Sequence, residues 1–150
     1  MFDIVTKNSV IEFFGEPALP SSIIIDDFKE EFHLPITYWN IHDYKKSWLK
    51  SLKEGLYKKD HAALAVSMYE PSSVNFIFIW IIYFKEQEIF IQNQTLFIDN
   101  CPSFSPDRIN DFIEPRYTET EDGNKISEWR TDLNSILNFY KKLERELGLI

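Results

Sequence analysis

A chain of 150 residues with 44% apolar and 16% aromatic side chains holds enough apolar matter for one buried core, which excludes a disordered polypeptide. Its formal charge of −8 at pH 7 disfavours generic binding to nucleic acid, because that affinity comes mainly from neutralised phosphates. The single cysteine, Cys101, has no partner for an intramolecular disulfide, and the longest apolar run, Phe76 to Phe84, is nine residues where a spanning helix needs about 20. Met1–Lys7 lacks the basic and apolar regions of a secretory signal. These features point to a soluble, cytosolic protein with no membrane partner, folded as one domain over residues 1–150.

In chain order, Val10–Phe14 reads as a short strand closed by Gly15-Glu16-Pro17, and Ser22–Ile25 as a second, since β-branched runs suit strands. Ile41, Tyr44, Trp48, Leu49, Leu52 and Leu56 recur at spacings of three and four, which predicts a helix over about 41–56. Asn40 can cap its start, and Gly55 sits where a left-handed end would be cheap. Strands at about 61–69, 74–84 and 88–98 follow. Their short polar connections imply an antiparallel meander, because a parallel pair needs a longer crossover. Phe76–Phe84 is apolar on both faces and is expected in the centre of the sheet, covered on both sides.

Ser105-Pro106-Asp107 opens a short helix over about 106–114: a capping hydroxyl, a proline at the first position and an acid in the first turn. A hairpin over 117–129 is expected around Asp122-Gly123. Leu133, Ile136, Leu137, Tyr140, Leu143 and Leu147 then mark a closing helix over about 132–147. The fold class is therefore α+β, with an antiparallel sheet core.

Charge is unevenly spread. Lys45, Lys46, Lys50, Lys53, Lys58 and Lys59 lie together with one acid, Glu54, a local +5 that leaves −13 for the rest of the chain. Acids gather at Asp26, Asp27, Glu30 and Glu31, and again at Glu114, Glu119, Glu121 and Asp122. The bland role for such charges is a solvated surface; the functional one is attraction of a basic partner. For Lys45, Lys46, Lys50 and Lys53 the solvated outer face of the helix is favoured, with a phosphate-binding stripe as the alternative. Phe76, Phe78 and Trp80 share one face of their strand, as base-stacking residues do, yet isoleucines on both sides favour core packing.

Chemistry finds little purchase. His33, His42 and His61 fall in separate segments with no metal-ligand spacing, and Cys101 has no neighbouring ligand. Glycine-rich phosphate loops and nucleophile motifs are missing, so neither a cofactor nor a catalytic residue is expected. A distant carboxylate pair such as Glu70 and Asp99 could meet only through the fold.

Leu34-Pro35-Ile36-Thr37-Tyr38-Trp39 with the following helix, Ala63-Leu64-Ala65-Val66-Ser67-Met68-Tyr69-Glu70-Pro71, and Gly123-Asn124-Lys125-Ile126-Ser127-Glu128-Trp129 with Thr131-Asp132-Leu133 resemble the immunity proteins of bacterial contact-dependent growth inhibition systems. The likeness spans roughly residues 20–140. It implies a cytosolic protein that neutralises the C-terminal toxin domain of a cognate effector. In the branch most resembled, the fold is similar to Whirly-type single-strand binders and the toxin is a nuclease acting on ribosomal RNA. The resemblance carries over no binding residue. A nuclease that grips RNA should be basic around its cleft, so Asp26, Asp27, Glu30, Glu31, Glu119, Glu121 and Asp122 become candidates for the toxin-binding surface.

Overall fold

Alternating apolar residues build the amino-terminal half into a four-stranded antiparallel sheet in the computed structural model, which describes residues 1–150. Strand β3 (Glu16–Ile25) is its spine. β1 (Phe2–Thr6) and β2 (Ile11–Phe13) line one edge of β3 end to end, and β4 (Phe28–Pro35) pairs along the other. Leu19, Ser21, Ile23 and Ile25 of β3 point inward and are buried, as the two-residue period of a strand requires. A second antiparallel sheet runs in the order β5 (His61–Ala65), β6 (Phe76–Lys85), β7 (Glu88–Phe97), β8 (Trp129–Asp132). The expected α+β class holds, with two sheets in place of one continuous core sheet.

Two helices complete the core. α1 (Ile41–Lys58) starts at a capping box in which Asn40 accepts from the Asp43 amide and Asp43 accepts from the Asn40 amide. Trp48 of α1 is buried and donates its indole N–H to the Ala65 carbonyl at 2.8 Å, which fixes the helix against β5. α2 (Leu133–Glu146) is capped by Asp132, and its Phe139 packs edge-on against Phe2 with ring centroids 5.0 Å apart. Neither helix is long and apolar enough to cross a membrane.

Several local expectations need correction, each for a physical reason. The strand expected over 61–69 ends at Ala65 because side chains take over its ladder: Ser67 Oγ accepts from the Phe78 amide, and the Tyr44 hydroxyl accepts from the Met68 amide while donating to Pro35 O. Glu16 and Pro17 do not close a turn but begin β3; the turn is only Phe14-Gly15. Pro106–Phe112 winds as 3-10 turns, not as a longer helix, with a kink at Arg108. The hairpin over 117–129 shrinks to a single bridge, Glu119 to Lys125. Its arms are polar and have no face to bury, whereas Trp129 can pair into β8 and pack on Trp80 and Phe28. Gly55 is not the left-handed end of α1. That conformation belongs to Lys59, with φ of 59°, and Gly55 lies inside the helix where β5 comes too close for a Cβ.

The largest departure concerns β6. Its inward isoleucines, Ile77, Ile79 and Ile81, are fully buried, but Phe76 and Phe78 are 42% and 51% exposed. The expectation of a strand covered on both sides fails at this end: Trp129 of β8 packs on Trp80 with ring centroids 5.4 Å apart, while Phe78 is left open on the groove. Trp80, at 3% exposure, is the last aromatic on that face to be covered.

Candidate binding surface

The seven candidate acids are all exposed, but they do not form one patch. Asp26 and Asp27 make the two-residue turn joining β3 to β4, with Asp26 at φ of 50°. Asp26 pairs with the Met1 amino group and accepts from the Thr131 hydroxyl at 3.2 Å, so it locks the turn onto β8. Glu30 and Glu31 are adjacent in β4 and therefore point to opposite faces of the sheet. Glu30 faces a groove between the two sheets, and Glu31 faces the outer surface beside Val5, Lys7 and Ser22. Glu119, Glu121 and Asp122 stand on the small turn around Gly123.

That turn is carried by a pinned loop. Arg116 donates two hydrogen bonds to Glu128, at 2.7 and 2.8 Å, and Gln92, fully buried in β7, donates to both Glu128 and the Tyr117 carbonyl. The Arg116 hydrogen bond holds the Glu128 carboxyl below its ordinary pKa and raises that of the guanidinium in return. Arg116 also lies over the Phe90 ring at 3.8 Å, so the loop is tied to the sheet by charge and by stacking.

The lysines of α1 keep their helical face. Lys46, Lys50 and Lys53 are exposed and line a depression of about 620 Å³ with His42, Pro106 and Leu149, while Lys45 pairs with Glu146 at 3.3 Å. Asp43, Glu54 and Asp107 line the same depression, and Lys50 donates to the Asp107 carbonyl at 2.6 Å. Acids interleaved with the lysines weaken the field a phosphate backbone would feel. His61 is half-buried with its imidazole on the Asn110 carbonyl, His33 is stacked on Phe13, and the three histidines stay apart. Cys101 is buried, its thiol pKa raised by burial, and its Sγ donates to Phe97 O at 3.3 Å. Glu70 and Asp99 show no interaction with each other; Glu70 accepts from the Ser72 hydroxyl.

Sequence reasoning missed the open aromatic face. Phe76 and Phe78 pair across to Phe97 and Thr95 of β7, and the three phenylalanines form one cluster with centroids 5.3 and 6.2 Å apart. From the other sheet, Phe13 reaches the same groove, and Phe14 stands beside it 91% exposed. The groove holds about 520 Å³ between Phe13, Glu30, Phe32 and His33 on one wall and Phe78, Trp80, Asn93, Gln94 and Thr95 on the other. Glu30 is its one carboxylate, and no lysine or arginine lines it. A signal for this was present: the segments 8–28, 60–84 and 86–107, which supply nearly all of this face, contain neither lysine nor arginine.

These features define a class: a small acidic α+β domain with two antiparallel sheets and an uncovered aromatic groove where they diverge. Comparison with known proteins gives the family. Residues 34–139 match the model described as the CdiI N-terminal domain, and the chain belongs to the CdiI immunity protein family. The chain is 56% identical over 143 residues to the immunity protein CdiI of Enterobacter cloacae subsp. cloacae, covering 95% of this chain and 99% of that relative. Its structure is similar to one chain of the CdiA-CT/CdiI toxin and immunity complex from Enterobacter cloacae, with a TM-score of 0.94 at 55% identity over 97% of this chain and 99% of the other.

Proposed function

We propose that this protein, acting as one unit over residues 1–150, binds the C-terminal toxin domain of a cognate contact-dependent growth inhibition effector and neutralises it in the cytoplasm of the producing cell. The observation that carries this reading is the near-complete match to a chain solved in a toxin and immunity complex. The finer part, that the toxin is a nuclease with a basic RNA-binding cleft, is supported by the net charge of −8 and by acids exposed on two separate surfaces. Asp27, Glu30, Glu31, Glu119, Glu121 and Asp122 supply the steering field, while Asp26 serves the β3–β4 turn.

Co-expression with the CdiA-type protein encoded immediately upstream tests the function: rescue of growth and co-purification are expected, and toxicity unrelieved by this protein would refute it. Electrostatic steering has its own measurement. The association rate should fall at least about tenfold from about 50 mM to about 500 mM salt, and a flat dependence would remove the charge argument.

A further inference from the structure

We propose that the toxin docks in the aromatic groove between the two sheets, with Phe78 in the groove and Phe14 beside it as apolar anchors and Glu30 as the charge that pairs with a lysine or arginine of the toxin; this rests on the function proposed above.

Exposure is the first argument. Phe13 and Phe78 line the groove, Phe14 packs beside Phe13, and Phe76 and Phe97 continue the cluster from Phe78; all five are 40% to 91% exposed, which leaves on the order of 500 Å² of their surface open to water. That is at the upper end of what a monomer keeps uncovered, and patches of this size mark sites of protein contact. It also matches the apolar centre of an interface that buries roughly 800 Å² on each side.

Backbone conformation is the second argument. Phe14 occupies the first position of the two-residue turn between β2 and β3, with φ of 50°, followed by Gly15 at 81°. Asparagine is favoured there, and a bulky aromatic in the left-handed region is strained. The strain brings little burial inside the fold, since Phe14 is 91% exposed and its ring stacks edge-on to Phe13 at 4.5 Å. Strain of this kind collects where binding uses it.

Charge decides the occupant. A second copy of this chain would bring its own Glu30 and its acidic surroundings against the same face, and single-stranded RNA would meet a groove with a carboxylate and no cation. A protein surface that places an apolar side chain beside lysine or arginine is complementary to both features.

The test uses the full chain and the toxin domain encoded upstream, with affinity and rates measured for Phe78→Ala, Phe14→Asn, Thr95→Lys and Glu30→Lys. Tyr57→Ala serves as the control, an aromatic 88% exposed on α1 outside the groove. Phe78→Ala and Glu30→Lys are expected to raise Kd by at least about 30-fold, Phe78→Ala chiefly through faster dissociation that persists at high salt, with Tyr57→Ala near wild type. Thr95→Lys sits on an exposed strand position opposite Phe78, and reports on the groove even where removing a phenylalanine disturbs folding. Wild-type binding that survives all four changes would overturn the proposal and leave the immunity function standing. No binding by the wild type would overturn both. Dimerisation, or retention of a single-stranded RNA oligonucleotide, that depends on Phe78 while toxin binding does not would also overturn it.

Discussion

Gly55→Ala separates two forces that usually act together. Inside a helix, alanine is favoured over glycine by about 1 kcal/mol, so propensity alone predicts a more stable protein. Here a Cβ on residue 55 would lie 2.8 Å from the His61 carbonyl carbon, closer still to its oxygen, and 3.0 Å from Ala62 Cβ. The first two are backbone atoms of β5 and cannot swing aside, so α1 must move away from the sheet by on the order of 1 Å, an overpacking strain of roughly 1–3 kcal/mol. The same movement stretches the Trp48–Ala65 hydrogen bond and the Ser51–Asn110 hydrogen bond, both of them buried. Together these outweigh the propensity gain, for a net destabilisation of about 1–3 kcal/mol and a melting temperature lower by about 3–10 °C in a domain of this size. Urea and thermal unfolding followed by far-UV circular dichroism measure it, with exposed Lys53→Ala as a helix control expected near zero. A Gly55→Ala protein as stable as wild type, or more so, would refute the close-approach argument.

Asn110→Ala should destabilise by about 2–4 kcal/mol in the same assay, because Asn110 is buried and joins Ser51, the Ala63 amide and Glu54 through four hydrogen bonds. Phe14→Asn should stabilise the isolated protein by about 0.5–1 kcal/mol by relieving the turn, while weakening toxin binding; opposite signs in the two measurements are the signature of a strained contact residue. Glu128→Gln should lose the Arg116 ion pair. Since the folded-state pKa of Glu128 is lowered, its stabilisation is full above the ordinary glutamate value and is lost as pH falls through the folded value. The difference between wild type and variant, measured by urea melts at several pH values, should therefore be largest at neutral pH and vanish in acid.

The helices were legible because their apolar spacing is dense: the core buries Tyr44, Trp48 and Leu52 of α1 and Ile136 and Leu143 of α2, all on the expected faces, although it also buries Phe139, which the spacing had not singled out. The β6–β7 hairpin was legible for a similar reason, two long apolar runs with four polar residues between them. Local pattern could not show that Ser67 and Tyr44 would supply backbone partners after Ala65, since that depends on contacts 11 and 24 residues apart in sequence. Nor could it show which aromatics of β6 would be covered. Phe78 and Trp80 have the same neighbours in the sequence pattern, and the packing of Trp129, 49 residues further along the chain, on Trp80 but not on Phe78 is a tertiary contact that no local pattern reveals. The acids were read as two clusters; strand alternation then sent Glu30 and Glu31 to different faces, so one of them meets the groove.

Phe2 against Phe139 and Asp3 against Lys142 at 2.6 Å join the first strand to the last helix. Contacts that span most of a chain form late, after a large loop has closed. Because α2 follows every strand in the chain, the contacts of Phe2 with Phe139 and of Asp3 with Lys142 are made only after both sheets have been synthesised. Protection by such a protein comes from molecules already finished, so the cell's safety depends on the standing pool and its lifetime rather than on how quickly new chains are begun.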